Sequence, residues 1–190
     1  MKKYLVSAAV MAVFGASSAF AQAVPAFGDN LTVSLSADVA AVCGAQLNAG
    51  DGLNLDIDFG DLTSVASTAQ VQVGGGSITY VCNVPAGFQR SFSSDNGGFL
   101  YRDGTAGGSS NQIPWTLQHG GGSGLGFAEI QLTSARNDSR GGSAAFTAGQ
   151  TGGLTFRANG VQVTGASGIL TTNVFAGDYS DVMRITITPN

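Results

Sequence analysis

The stretch "NLTVSLSADVAAVCG", residues 30–44, alternates apolar and polar side chains over most of its length. A period of two over such a length predicts a β-strand with one buried face. The stretch lies near the predicted start of the exported chain and directly before a cysteine. Two arrangements stay open, because this strand could pair within its own domain (in cis) or complete another one (in trans). The apolar positions are Leu31, Val33, Leu35, Ala37 and Val39.

The first residues have the pattern of a secretory signal. Lys2 and Lys3 precede an apolar core of about ten residues, and Ala19-Phe20-Ala21 forms a small-residue cleavage site. We therefore predict a signal peptide over residues 1–21 and cleavage before Gln22, with a cut after Ala23 as the alternative. The apolar core is too short for a transmembrane helix, and no later segment is apolar for long enough. We expect an exported chain without a membrane span.

The charge of the exported part argues against several classes of partner. The whole chain has 8 basic and 12 acidic residues, a net charge of −4. Loss of Lys2 and Lys3 leaves six basic residues against the same twelve acidic ones, a net charge of −6 and no lysine. A surface of this kind is not expected to bind nucleic acid or an anionic membrane.

Two cysteines, Cys43 and Cys82, are the only ones in the chain. An even number of cysteines in an exported protein predicts one disulfide. Closing a loop of about forty residues would stabilise the fold by roughly 3–4 kcal/mol in the chain-entropy model. A metal site lacks partners, because the chain has one histidine, His119, and no C-x-x-C motif.

The rest of the chain has the composition of one all-β domain. Glycine accounts for 29 of 190 residues, and short runs of Val, Thr, Phe and Ile are separated by Gly, Asn, Asp and Ser. We interpret the glycine clusters at 74–76, 107–110, 120–126 and 141–143 as loops. Strands are predicted at 31–39, 53–59, 69–73, 77–81, 89–94, 113–118, 127–132, 154–158 and 182–188, with minor strands near 99–101, 161–163 and 170–174.

No constellation of residues for catalysis emerges from the sequence. The run "GGGSGLGF" lacks the Lys-Ser/Thr ending of a phosphate loop, and we interpret His119 as an exposed loop residue. The aspartates of "DGLNLDIDFGD", residues 51–61, do not have the spacing of an EF-hand calcium loop. We therefore expect no enzyme activity, no cofactor and no metal.

Several short motifs occur together in a recognisable order. They are "VCG" at Cys43, "LDIDFGDL" at 55–62, "GGSITYVCNV" around Cys82, "FLYRDG" and "IPWTL" within 99–117, and "GDYSDVMRITITPN" at the end. In this order the chain resembles the spore coat protein U domain family, and within it the subunits of archaic chaperone–usher pili. Trp115 departs from the tyrosine that is common in the family's central strand. The residues that carry the resemblance most specifically are Phe59, Gly60, Gly177, Asp178, Tyr179 and Asp181.

The resemblance implies an incomplete immunoglobulin-like sandwich at residues 43–190, completed by a donor strand, and an N-terminal donor-strand segment at residues 22–42. Leu31, Val33, Leu35, Ala37 and Val39 would enter the groove of a neighbouring subunit. Met183, Ile185 and Ile187 would line the acceptor groove.

The implied partners are a periplasmic chaperone, an outer-membrane usher and other copies or homologous subunits. The implied function is that of a structural subunit of a surface pilus, exported through the periplasm to the cell surface and supporting adhesion or biofilm formation. Two alternatives stay open. One is a secreted spore- or cell-coat protein of the same fold, and the other is a single-domain carbohydrate-binding adhesin that uses Phe99, Tyr101 and Trp115.

Overall fold

The computed structural model of the chain describes residues 33–49, 52–105 and 107–190. The chain divides into two units, residues 1–38 and 39–190. In the described part of the first unit, residues 33–38, no strand is assigned, and the side chains of Val33 and Leu35 are exposed.

The second unit consists almost entirely of β-strands. Its described residues contain one short helix, α1 (Ala144–Ala148), and 3₁₀ turns at Leu62–Ser64, Ser109–Asn111 and Ala166–Gly168. The strands are β1 (Cys43–Leu47), β2 (Gln70–Cys82), β3 (Phe88–Ser94), β4 (Phe99–Arg102), β5 (Gln112–His119), β6 (Phe127–Ile130), β7 (Arg136–Arg140), β8 (Gln150–Asn159), β9 (Gln162–Thr164), β10 (Leu170–Thr172), β11 (Tyr179–Ser180) and β12 (Met183–Pro189).

The strands form a sandwich of antiparallel sheets. The larger sheet has the order β1-β2-β8-β5-β4-β11, with β6 paired to β5, and the smaller sheet has the order β12-β3-β7. β9 and β10 form a separate hairpin. The rings of Tyr80 on β2 and Phe88 on β3 stack with centroids 5.9 Å apart, which brings the two sheets into contact. The predicted all-β sandwich is confirmed.

Alternation along the strands explains why the core forms between the sheets. On β5, Ile113, Trp115 and Leu117 are buried, and the residues between them are only half-buried. β8 has the same pattern, with Leu154 and Phe156 turned inward. Each large apolar side chain contributes roughly 1.5–3 kcal/mol when fully buried. The sequence period of two therefore determined which face of each strand became the core.

The predicted disulfide between Cys43 and Cys82 is confirmed. The two residues lie directly opposite each other on β1 and β2, with Cα atoms 4.1 Å apart. The neighbouring pair, Val42 and Asn83, exchanges a backbone hydrogen bond from the Asn83 N–H to the Val42 carbonyl. The cysteines therefore occupy a non-hydrogen-bonded pair, the position at which opposite Cα atoms are closest.

The glycine run 74–76 is not a loop, contrary to the sequence-based interpretation. It lies inside β2, which joins the two strands predicted at 69–73 and 77–81. The pairing of β2 with β8 shifts register between Gly74 and Ser77, so the run forms a β-bulge. A Cβ at Gly75 would lie 2.4 Å from the Phe156 ring, which explains why the bulge has no side chain there.

Two predicted strands have no strand assignment in the residues that the structure describes. Residues 33–39 of the predicted strand 31–39 have no strand assignment, and Leu31 lies outside the described residues. The segment 53–59 is also unassigned, although its apolar residues alternate. Alternation predicts which face is buried, but a strand also needs a neighbouring edge to hydrogen-bond with. Conversely, the polar strand β7, "RNDSR", forms because β3 offers it an edge.

Candidate functional site

An open groove of about 1070 Å³ lies in the second unit. One part of its wall comes from the larger sheet, and another from the start of β12. The loop between β1 and β2 and the chain that leads into β12 complete it. Its apolar lining includes Ala45, Leu47, Ile78, Leu100, Ile113, Trp115, Leu154, Phe156, Val174, Met183 and Ile185.

β12 lies at the edge of the smaller sheet and has an unpaired side. It pairs with β3, and the N–H of Asp95 bonds the carbonyl of Val182 while the N–H of Asn190 bonds the carbonyl of Gly87. In an antiparallel pair, the backbone groups of alternate residues point to the same side. The N–H and C=O groups of Met183, Ile185 and Ile187 therefore point away from β3. Within the described residues they have no hydrogen-bond partner.

The three predicted acceptor residues therefore have both unpaired backbone groups and side chains that face the core. Met183, Ile185 and Ile187 direct half-buried side chains onto the core, and the first two line the groove. Ile187 packs on the core beyond the groove lining. Arg184 and Thr186, between them, are exposed on the opposite face. The groove thus ends at an apolar strand edge whose backbone groups are free to bond.

The loop segment 53–61 forms another wall of the groove. Ile57 and Phe59 pack against the core, and a hydrogen bond of 2.8 Å from the Gly60 N–H to Asp58 Oδ1 turns the chain. Gly60 has φ 67°, a left-handed conformation that favours glycine. Asp61 then caps the following 3₁₀ turn, and hydrogen bonds from the Thr63 hydroxyl and N–H lower the pKa of its carboxyl group.

Asp181 holds together three elements next to the groove. Its carboxylate accepts hydrogen bonds from Ser94 Oγ at 2.5 Å, from Trp115 Nε1 at 2.8 Å and from the backbone N–H of Asn96 at 3.1 Å. It also accepts one from the N–H of Val182, at 2.7 Å. The start of β12, the turn after β3 and the central strand β5 are fixed to one another through this one side chain.

The other motif residues lie around the same groove. Tyr179 on β11 pairs with Arg102 and donates its hydroxyl to the carbonyl of Phe175 at 2.7 Å. Burial raises the pKa of that phenol. The structure thus brings together motif residues from two distant parts of the sequence. All six line the groove: Phe59, Gly60, Gly177, Asp178, Tyr179 and Asp181.

The lining of the groove is acidic. Five aspartates contribute to it and no arginine or lysine does. Asp56 and Asp58 project from the loop segment, and Asp178 lies before β11. A segment that enters the groove therefore meets an apolar floor with a negatively charged rim. The five are Asp56, Asp58, Asp61, Asp178 and Asp181.

Residues 40–42 are held against β2 by Asn83. Its Nδ2 donates to the carbonyl of Ala40 at 2.8 Å, and its Oδ1 accepts from the N–H of Val42 at 2.7 Å. Val39, directly before this clamp, is 85% exposed and has no strand assignment. Of the predicted donor residues, Val33, Leu35, Ala37 and Val39 are all exposed.

A buried polar cluster, which was not predicted from the sequence, lies in the core away from the groove. Arg90 on β3 is 1% exposed, and its Nη2 donates to the Leu125 carbonyl at 2.5 Å and to Asp138 Oδ2 at 3.2 Å. Its guanidinium lies 5.2–5.8 Å from the ring centroids of Tyr80, Phe92 and Phe127. The inward position of Arg90 between Phe88 and Phe92 was the available signal.

His119 belongs to this cluster, so the interpretation of it as an exposed loop residue is wrong. It ends β5 and is 1% exposed. Its Nδ1 lies 2.5 Å from the Gly120 carbonyl, which can only accept, so Nδ1 carries the proton. Nε2 of the neutral ring then accepts from the Tyr80 hydroxyl at 2.9 Å. Burial, followed by the charge of Arg90, lowers the pKa of His119 to about 4.

The aromatic residues of the predicted carbohydrate-binding alternative do not form one surface. Trp115 is 4% exposed, and its indole N–H is bound to Asp181. Phe99 and Tyr101 are half-buried on β4, with parallel rings 6.3 Å apart. Trp115 is therefore a core residue that cannot stack on a ligand at the surface.

The described residues contain no group of three or more His, Cys, Asp and Glu side chains placed to hold a metal ion. Among the same residues, no helix has both the length and the apolar character needed to cross a bilayer.

Comparison with solved structures finds several similar chains. No family model matches the chain, and no curated protein matches it either. The chain is similar to a solved structure described as "Chaperone-tip adhesin complex is vital for synergistic activation of CFA/I fimbriae biogenesis", with 16% sequence identity and a TM-score of 0.46. The likeness covers 78% of this chain and 42% of that one. At this identity and TM-score it carries no argument about function.

Proposed function

We propose that this chain is an exported structural subunit of a chaperone–usher surface pilus. It polymerises by donor-strand complementation and supports adhesion or biofilm formation, and it has no enzymatic role. The observation that carries the proposal is the apolar groove that ends at the unpaired edge of β12. An exposed apolar strand edge is a template for pairing with another strand.

The acceptor half of the proposal rests on Met183, Ile185 and Ile187. An extended segment beside β12 would receive hydrogen bonds from their N–H groups and donate to their carbonyls. Its alternate side chains would enter the groove between the apolar walls. In this assignment a periplasmic chaperone covers the groove first, and the next subunit replaces the chaperone at an outer-membrane usher.

The donor half rests on residues 31–39. Four large apolar side chains there, Leu31, Val33, Leu35 and Val39, would contribute on the order of 6–12 kcal/mol on burial, before the cost of ordering the segment. The clamp by Asn83 starts at Ala40, so the donor is the part of the chain before it. If the signal ends at residue 21, the eighteen residues from 22 to 39 reach about 60 Å when extended.

A substitution that charges only one face of the donor segment tests the proposal. In Val33→Asp with Leu35→Asp, both charges would enter the groove of the acceptor. The matched control, Ser34→Asp with Ser36→Asp, adds the same charges to the opposite face. Both are co-expressed with the chaperone and usher, and SDS-resistant ladders of subunits are measured on gels of unheated samples.

We expect ladders to be lost with the first pair and kept with the control, while each subunit still co-purifies with the chaperone. Loss of chaperone binding in the first pair alone would show that the segment pairs within its own domain. If the unmodified exported chain is a stable monomer that never polymerises, the pilus assignment is wrong. A coat protein of the same fold is then the better assignment.

A further inference from the structure

A second, smaller cavity of about 240 Å³ lies where β4, β5 and the end of β8 meet. It shares part of its apolar wall, through Ile113, Val161 and Val174, with the groove described above. Its other lining residues come from segments that are far apart in the sequence. They are Ser67, Phe99, Ser109, Gln112, Asn159 and Asn173, together with Pro114 and Gly160.

The polar side chains that line this cavity are uncharged and can form hydrogen bonds with a ligand. Within the described residues, the hydroxyl groups of Ser67 and Ser109 have no hydrogen-bond partner, and neither do the side-chain amides of Gln112 and Asn173. Asn159 uses only its Oδ1, which accepts from Gln70 at 3.1 Å. Several donors and acceptors therefore surround a small concave space that no charged residue lines.

Backbone hydrogen bonds hold these groups in place before any ligand binds. The N–H of Ser67 donates to the carbonyl of Gln162 at 2.8 Å, and the N–H of Asn173 donates to that of Val161 at 3.0 Å. A Cβ at Gly160 would lie 2.3 Å from the carbonyl oxygen of Val65, so the chain passes too closely there for any side chain. Preorganisation of this kind reduces the entropy lost on binding.

The rest of the cavity lining is apolar. Phe99 and Pro114 lie opposite each other on β4 and β5, and both are half-buried. A pocket with one apolar wall and a few convergent polar groups is the usual form of a small-molecule site. An anion would find no arginine or lysine here, and an apolar ligand would leave the amides without partners.

We infer that this cavity binds one unit of a neutral saccharide. The carbon-bound hydrogens of a sugar ring would pack on Phe99 and Pro114, and its hydroxyl groups would bond Gln112, Asn173 and the two serines. This inference does not use the groove or the donor segment, so it can fail while the proposed function stands. It differs from the carbohydrate-binding alternative above because Trp115 takes no part.

The test uses the full exported chain and the methyl glycosides of glucose, galactose, mannose and N-acetylglucosamine, with glucuronate as an anionic probe. Saturation-transfer NMR measures binding. We expect at least one neutral probe to bind with a Kd on the order of 1 mM. Gln112→Ala with Asn173→Ala should weaken that binding by at least about tenfold. The control Gln72→Ala removes the same amide from an exposed position on β2, outside the cavity, and should change nothing.

A second variant covers the case in which the double substitution unfolds the protein. Ser109→Tyr places a large side chain at an exposed position on the rim and should block the cavity without disturbing the core. The inference is overturned if no neutral probe binds, if binding survives both variants, or if glucuronate binds at least as tightly. Competition by a peptide but not by the glycosides would likewise show that the occupant is not a sugar.

Discussion

The indole N–H of Trp115 donates a 2.8 Å hydrogen bond to Oδ2 of Asp181. This bond joins the centre of the larger sheet to the residue that leads into β12, and Ser94 and two backbone N–H groups share the same carboxylate. The bond explains how a tryptophan is accommodated in the central strand. Asp181 places a carboxylate next to Nε1, the only polar atom of the Trp115 side chain.

Replacing Asp181 should therefore destabilise the whole sandwich. Asp181→Ala leaves the Trp115 indole, the Ser94 hydroxyl and two backbone N–H groups without their acceptor. We expect the free energy of unfolding, measured in urea, to fall by roughly 2–4 kcal/mol. Asp56→Ala is the control, because Asp56 is exposed and its carboxylate makes no hydrogen bond or ion pair within the described residues. Equal stability of the two variants would contradict the role given to Asp181.

Stability should fall as the pH drops from about 6.5 to about 4, because of His119. The folded state keeps the ring neutral down to a pKa of about 4, whereas the unfolded chain takes up a proton near 6.5. The unfolded state is therefore favoured progressively through this window, by up to about 3 kcal/mol. Below pH 4 both states are protonated, and this contribution is fully lost.

The variant His119→Gln separates this effect from the titration of carboxylates. Its side-chain oxygen can still accept from the Tyr80 hydroxyl, but the group does not titrate. Melting temperatures measured every half pH unit should show a smaller fall for the variant between 6.5 and 4. Parallel curves for the two proteins would show that the protonation of His119 does not limit stability.

Gly152 should tolerate no side chain. It is buried on β8, and a Cβ there would lie 2.3 Å from the Gly120 carbonyl oxygen and 2.3 Å from His119 Cε1. We expect Gly152→Ala to cost about 1–3 kcal/mol, because the backbone contact cannot relax. Gly74→Ala is the matched control, since a Cβ at this strand glycine meets nothing within 4 Å. Thermal unfolding of the two variants gives the comparison.

A negative charge on the groove wall should prevent a subunit from accepting a donor strand, but it should not prevent the subunit from donating its own. In Ile185→Asp the new carboxylate lies on the groove wall, whereas in the control Thr186→Asp it lies on the exposed face of the same strand. We expect the Ile185 variant alone to form no polymers. When it is mixed with unmodified subunits, the variant should be found at one end of the polymer. The subunit at that end donates its own strand and does not have to accept one. Mass spectrometry of the mixed polymers measures its share, and normal polymerisation of the variant alone would rule out this groove as the acceptor.

The acidic rim should make binding of the proposed donor segment depend on salt. A capped peptide of residues 29–40 carries Asp29 and Asp38 and would meet five aspartates at the groove. Because salt screens like charges, its affinity should rise between about 50 and 500 mM NaCl. Asp38→Asn in the peptide should reduce that slope, and fluorescence anisotropy measures both. Affinity that falls with salt would show that the rim does not face the bound peptide.

The alternating pattern of the sequence was sufficient for an all-β sandwich or barrel and for most strands, and the resemblance implied the sandwich. The side-chain period predicted the core strands β3, β5 and β8, because inward alternation is a local signal. An even cysteine count, together with the predicted signal peptide, predicted the pairing of Cys43 with Cys82. The pattern did not distinguish 53–59 from a true strand, since alternation describes burial and contains no information about the neighbouring edge.

What only the tertiary structure decided is where distant polar groups meet. Asp181 reaches Trp115 and Ser94 across 66 and 87 residues of sequence, and Arg90 contacts Asp138 across 48. By itself the sequence determined the face that each strand buries. The fold decided which backbone edge stays unpaired and which inward-facing polar side chains find partners, because both depend on the packing of whole sheets.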